Sequence, residues 1–104
     1  MTVNEIAIKL DAVTEVDADR DINGVYVGDF LSRVMGKAPP SCAWLTVMNN
    51  VNVAGVATLA EVGAVVLCEG VKPDPLLKRK CEDEKIPLLT TSLTAFDACL
   101  RLGE

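Results

Sequence analysis

The sequence predicts an α/β domain, a mostly parallel sheet with helices layered against it. Strand-like and helix-like patterns alternate through the last three-quarters of the chain, as they do when helical crossovers join parallel strands. The run from Ala64 to Cys68 is continuously apolar and of strand length, which marks a strand buried on both faces. Asp74-Pro75 follows it, a capping residue and then proline at the first helical position, and so a sharp helix start.

The elements can be justified in order. Thr2-Val-Asn-Glu5 has the form of a capping box, with Ile6, Ala7 and Leu10 as a short apolar face, so a helix is expected over 2–10. Residues 11–23 are polar and irregular, with a strand candidate at Ala12–Val16. Asn23-Gly24 signals a turn, because both residues tolerate positive φ, and Val25-Tyr26-Val27 then reads as a strand. Gly28-Asp29 opens a helix with Asp29 as its N-cap. Phe30, Leu31, Val34 and Met35 fall on one face of that helix, Ser32, Arg33 and Lys37 point elsewhere, and Gly36 with Pro39-Pro40 ends it.

Ala43–Met48 is a strand candidate, and Asn49, Asn50 and Asn52 follow at once. Ala54, Ala57 and Ala60 then favour a buried helix, with Asn50 as N-cap and Gly63 at the position after its end. The alternation Val51/Val53/Gly55 would also suit a strand. Whichever holds, the apolar tract Val51–Leu67 is expected in the centre of the core. In the helix after Asp74, Leu77 and Cys81 give only a narrow apolar stripe. Lys78/Glu82, Arg79/Asp83 and Lys80/Glu84 are i,i+4 pairs with the base first, the weaker orientation, so packing rather than charge must hold this helix. Ile86–Thr90 reads as a strand. A last helix begins near Ser92 or Thr94, with Phe96, Cys99 and Leu100 on its apolar face and Gly103 at its end.

Composition bounds the function. The 104 residues fit one domain spanning 1–104, and a hydrophobic content of 50% supplies a genuine core. The net charge is −5 with no basic face, which argues against binding nucleic acid or an anionic membrane. Glu5 and Lys9 interrupt the N-terminal apolar run, so no signal peptide is expected and the expected compartment is the cytoplasm. The tract Val51–Leu67 is broken by Asn52, Gly55, Glu61 and Gly63 and is shorter than a bilayer span of ~20 residues. Cys42, Cys68, Cys81 and Cys99 form no C-x-x-C pair and there is no histidine, so they read as reduced, small apolar residues rather than metal ligands. Cys81, in a charged segment, is the one expected to be reachable by solvent. No cofactor is expected.

The candidate site is the asparagine cluster. Asn49, Asn50 and Asn52 lie where a strand turns into a helix, and ligands of open α/β sheets bind outside the carboxyl ends of strands. A helix start also leaves N–H groups that attract anions. The alternative is that one asparagine caps, one turns the chain and one is solvated. Gly28-Asp29 is a second turn of this form, with Ser32 one helical turn on, and the loop Glu69–Asp74 is a third. If the strands adjoin, the loops share one edge.

From Asp19 onward the chain resembles a DRTGG domain. The resemblance rests on Asp19-Arg20-Asp-Ile-Asn-Gly24, then on Val25-Tyr26-Val27-Gly28-Asp29-Phe30-Leu31-Ser32, and on Ala43-Trp44-Leu45-Thr46-Val47. It continues through Asn52-Val53, Glu69-Gly70-Val71, Pro73-Asp74, Ile86-Pro87-Leu88-Leu89 and Ser92-Leu93-Thr94-Ala95-Phe96, and is strongest over 19–100. Asn23 and Val25 stand where threonine and the second glycine of the motif would be, so no contact of those two is carried over. The resemblance implies a fold similar to the N-terminal domain of HPr kinase/phosphorylase and a regulatory or assembly module, often dimeric. Such domains accompany CBS domains in regulated pyrophosphatases and an enzyme of acetate and phosphate metabolism, and small members occur beside hydrogenase genes. It does not imply kinase activity, because a P-loop needs G-x-x-x-x-G-K-[ST] and only Gly36-Lys37 is present, followed by Ala38.

The expected function is a non-catalytic module that dimerises and binds a nucleotide-like ligand at Asn49, Asn50, Asn52, Gly28, Asp29 and Ser32. An adaptor for an unknown protein partner is the alternative. An enzyme is disfavoured: with no histidine, a base near pH 7 would have to be a perturbed Asp, Glu, Lys or Cys, and no such constellation stands out. Trp44 and Tyr26 read as core or interface.

Overall fold

Hydrophobic alternation along the strands builds two cores, one on each side of a single sheet. The computed structural model describes residues 1–103. Along them run α1 (Val3–Leu10), β1 (Val13–Val16), β2 (Val25–Val27), α2 (Leu31–Lys37) and β3 (Ala43–Thr46). Then come α3 (Asn52–Ala60), β4 (Ala64–Leu67), α4 (Pro75–Glu84), β5 (Leu88–Thr90) and α5 (Ala95–Leu102). The sheet has the order β1-β5-β4-β3-β2. β2 through β5 are parallel, and β1 is antiparallel to β5.

Successive side chains of a strand face opposite ways. Trp44, Val65, Leu67 and Leu88 accordingly join Val34, Val53, Ala57, Leu77 and Cys81 in a core under α2, α3 and α4. Ala43, Leu45, Ala64, Val66 and Leu89 join Ile6, Leu10, Ala98 and Leu102 in a second core under α1 and α5. β3 and β4 are buried at every position, as a central parallel strand must be.

Local chemistry sets the helix ends. The capping box of α1 forms as expected, with Thr2 Oγ1 accepting from Glu5 N at 3.1 Å and Glu5 Oε1 accepting from Thr2 N at 3.2 Å. Thr94 Oγ1 caps α5 by accepting from Asp97 N at 3.1 Å. Pro75 stands at the start of α4, where a missing N–H costs nothing, while Asp74 makes no side-chain cap. Asp29 does not cap α2: the cap position is Phe30, and the carboxylate of Asp29 turns to β3 instead. Helix α3 ends at Glu61, with φ 57°, two residues before Gly63. Gly63 is needed for another reason, since a Cβ there would sit 2.6 Å from Ser41 O.

Burial departs from expectation in particular places. Cys81 is fully buried under α4, because the stripe it shares with Leu77 is the only apolar face that charged helix owns. Phe96 and Leu100 are 71% and 55% exposed; the smaller Ala98 and Leu102 pack α5 onto the sheet. On α2, Val34 is buried while Phe30 and Met35 are exposed. In the tract Val51–Leu67, residues 62–67 are wholly buried, but Val51 and Leu59 of the helical part are exposed, because α3 has its sheet on one side and solvent on the other. Of the base-first pairs on α4, Lys80–Glu84 closes at 3.3 Å, whereas Lys78 reaches across to Glu15 of β1 at 3.5 Å.

Candidate ligand site

Parallel order brings the loops after β2, β3, β4 and β5 to one rim of the sheet, and hydrogen bonds join them. Asp29 Oδ1 accepts from Thr46 Oγ1 at 2.7 Å and from Val47 N at 3.0 Å. Thr46 Oγ1 in turn accepts from Met48 N at 3.1 Å, so Asp29 and the buried Thr46 hold the end of β3 in a short relay. Asn49 Nδ2 donates to Lys72 O at 2.8 Å, and Asn49 O accepts from Asp74 N at 3.1 Å, clamping the loop after β3 to the loop after β4. Asn50 Oδ1 accepts from Asn52 N at 2.9 Å, so Asn50 caps the first turn of α3 although Val51 occupies the formal cap position. Asn52 is exposed, and its side-chain amide has no hydrogen-bond partner among the described residues.

The predicted residues therefore divide. Asp29 and the three asparagines share the rim, and Asn52 offers the one uncommitted amide among them. Gly28 lies at the edge of this group, where its carbonyl accepts from the buried Trp44 Nε1 at 2.9 Å. Ser32 is elsewhere, in a shallow groove of about 290 Å³ on the outer side of α2 with Phe30, Arg33, Gly36 and Lys37.

Topology adds a place that the residue pattern did not reveal. Helix α4 leaves β4 for one face of the sheet, and α5 leaves β5 for the other. Adjacent parallel strands whose connections diverge in this way open a crevice, the usual ligand position in such sheets. A depression of about 220 Å³ lies there, lined by Asp11, Gly70, Lys72, Thr90, Thr91 and Ser92 among others. Thr91 Oγ1 donates to Leu10 O and accepts from Leu93 N, and Gly70 N donates to Thr91 O at 2.9 Å, so the walls are firmly built. Glu69 and Gly70, at φ 60° and 73°, make the sharp turn on one side. One wall, the loop Glu69–Asp74, was marked in the sequence as a third strand-to-helix turn; the hydroxyl run Thr90-Thr91-Ser92 was the other available signal.

The cysteines are placed for packing. Cys42 and Cys81 lie in one core, Cys68 and Cys99 in or against the other, so the sheet separates the two pairs. Burial pushes the thiols of Cys68 and Cys81 up to about 11, with Cys99, Glu69 and Asp29 adding to the rise at Cys68 and Glu82 at Cys81. Cys42 is raised as well, by burial. Such thiols stay protonated near neutral pH and are poor nucleophiles. Among the described residues no three His, Cys, Asp or Glu side chains are grouped to hold a metal ion, and no helix is long and apolar enough to cross a membrane.

Arg20, the arginine of the imperfect motif, lies away from the rim. Its guanidinium donates to Val62 O at 3.3 Å and to Lys85 O at 2.8 Å, just past the ends of α3 and α4. It is a staple between two helix ends rather than part of the loop cluster.

A two-cored α/β sheet with this order and rim defines a class of fold, the DRTGG-like domain. It is shared with the regulatory region of Clostridium perfringens pyrophosphatase, comprising CBS and DRTGG domains, in complex with its activator diadenosine tetraphosphate. The superposition has a TM-score of 0.80 and covers 97% of this chain at 12% identity, so the likeness is one of fold. The chain matches 45% of that longer region. No family model matches the sequence, and no curated protein matches it.

Proposed function

We propose that this chain is a regulatory module without catalysis of its own, which senses a nucleotide-like ligand at its carboxyl rim and works as a homodimer in the cytoplasm. The observation that carries this reading is the shared fold with a regulatory region that was captured with a nucleotide activator. The rim supplies suitable groups: the free amide of Asn52, the exposed Asn49 and Asp29 on the same rim, and Lys72 beside the β4/β5 crevice. The buried, protonated thiols and the absence of histidine support the non-catalytic part. A link to hydrogenase or to acetate and phosphate metabolism rests on the resemblance alone and enters through the choice of ligands to test.

The experiment is a thermal-shift screen with adenine mono-, cyclic and dinucleotides, inorganic phosphate and acetyl phosphate. A ligand that binds only the folded chain raises stability by RT ln(1 + [L]/Kd), about 2.7 kcal/mol at a hundredfold excess over Kd. A rise with one ligand class, lost in Asn52→Ala, supports sensing at the asparagine turn. A rise that survives Asn49→Ala and Asn52→Ala but is lost in Lys72→Ala moves the site to the crevice. A flat screen favours the second reading, a protein adaptor, for which the exposed Phe30, Phe96 and Leu100 speak.

A further inference from the structure

Strand β2 is an edge of the sheet, and its outer side is bare. Gly28 N donates to Leu45 O and Ala43 N donates to Gly24 O, so residues 24, 26 and 28 turn their backbone groups toward β3. Alternation along a strand then points the N–H and C=O groups of Val25 and Val27 away from the sheet. Among the described residues no hydrogen bond reaches those groups. Edge strands are normally blunted by brevity, lysine, proline, a bulge or a covering element. At three residues β2 is short, but it carries no charge, proline or bulge, and Val25 and Val27 are 36% and 48% exposed.

We propose that β2 pairs antiparallel with β2 of a second copy of this chain, continuing the sheet across a two-fold axis that passes beside Tyr26. The pairing deepens the homodimer of the proposed function. The segment is palindromic: centred on Tyr26, each valine faces the other valine of the partner, and the two exchange both backbone hydrogen bonds. Tyr26 then meets Tyr26 at the closely spaced, non-hydrogen-bonded position between them. Parallel pairing would break this match, and an isologous interface of this kind closes at two copies.

The test is sedimentation equilibrium with cross-linking. The native chain is expected to be a dimer, Val25→Lys/Val27→Lys a folded monomer by circular dichroism, and the control Val13→Lys on the opposite edge still a dimer. Tyr26→Cys should form an intermolecular disulfide under mild oxidation, since paired Cα atoms at that position lie ~4.5 Å apart. Val27→Cys, which faces Val25, should not. A native monomer at ~100 μM, far above the Kd expected of a stable dimer, overturns the proposal, as does a dimer that survives both lysines. Cross-linking of Val27→Cys but not Tyr26→Cys overturns the register. The ligand screen run on the monomeric variant keeps the two readings apart: loss of the dimer with binding retained sinks neither the rim nor the sensing function.

Discussion

At one edge of the sheet β1 runs antiparallel to β5, its register slips between Thr14 and Val16, and Glu15 is engaged twice, by Lys78 at 3.5 Å and by Thr90 Oγ1 at 3.2 Å. At the other edge β2 is regular, uncharged and open. A bulge and a buried-side carboxylate disrupt the flat ladder that a second strand needs, whereas an unbroken valine pair preserves it. The contrast teaches that openness here is local: the same chain breaks the ladder at one edge and at the other keeps a short, regular one.

The comparison can be broken hardest at Trp44, whose Nε1–H holds the Gly28 carbonyl at the end of β2. Trp44→Ala should cost ~3–5 kcal/mol in urea unfolding, and amide exchange should rise at β2 well before β1. Next comes Arg20, on the segment that carries the chain from β1 across to β2. Arg20→Met frees Val62 O and Lys85 O and should lower stability by ~1.5–3 kcal/mol, a loss read by the urea midpoint and shared by both edges.

A pH-dependent effect follows from the thiols. Their folded values, about 11 for Cys68 and Cys81, stand above the ordinary 9.0. The unfolded chain therefore loses these protons first, and the stabilisation is complete below pH 9 and declines as pH rises toward 11. Unfolding free energy should fall over that window, and Cys81→Ala should show a shallower fall. The smallest effect is expected at β1. Glu15→Gln should cost under ~1 kcal/mol, shrink further in high salt, and leave the oligomeric state unchanged.

Most of the layered fold was legible because period and punctuation agreed. Asp74-Pro75, the Thr2 capping box and the apolar run Ala64–Leu67 each became the element they announced. The failures share a cause. Asp29 and Gly63 had the right residue type for a cap but were taken by tertiary partners, Thr46 and Ser41. Cys81 sat among charges in sequence yet on the one inward stripe in space. At the rim, the asparagines were visible as a cluster, and their local roles as clamp and cap were within reach. The crevice beside Thr91 was not, because it depends on which face α4 and α5 choose, and that is a property of winding rather than of any residue.

Helices α1, α3 and α4 all finish on a left-handed residue, and in each case it carries a side chain: Asp11, Glu61 and Lys85, at φ 50°, 57° and 57°. A residue with a Cβ pays roughly 1–2 kcal/mol for that conformation, which glycine does not. The chain therefore retains thermostability it has not taken up, located at helix ends outside β2. Glycine at these three positions should raise the melting temperature while leaving the strand proposed for pairing untouched.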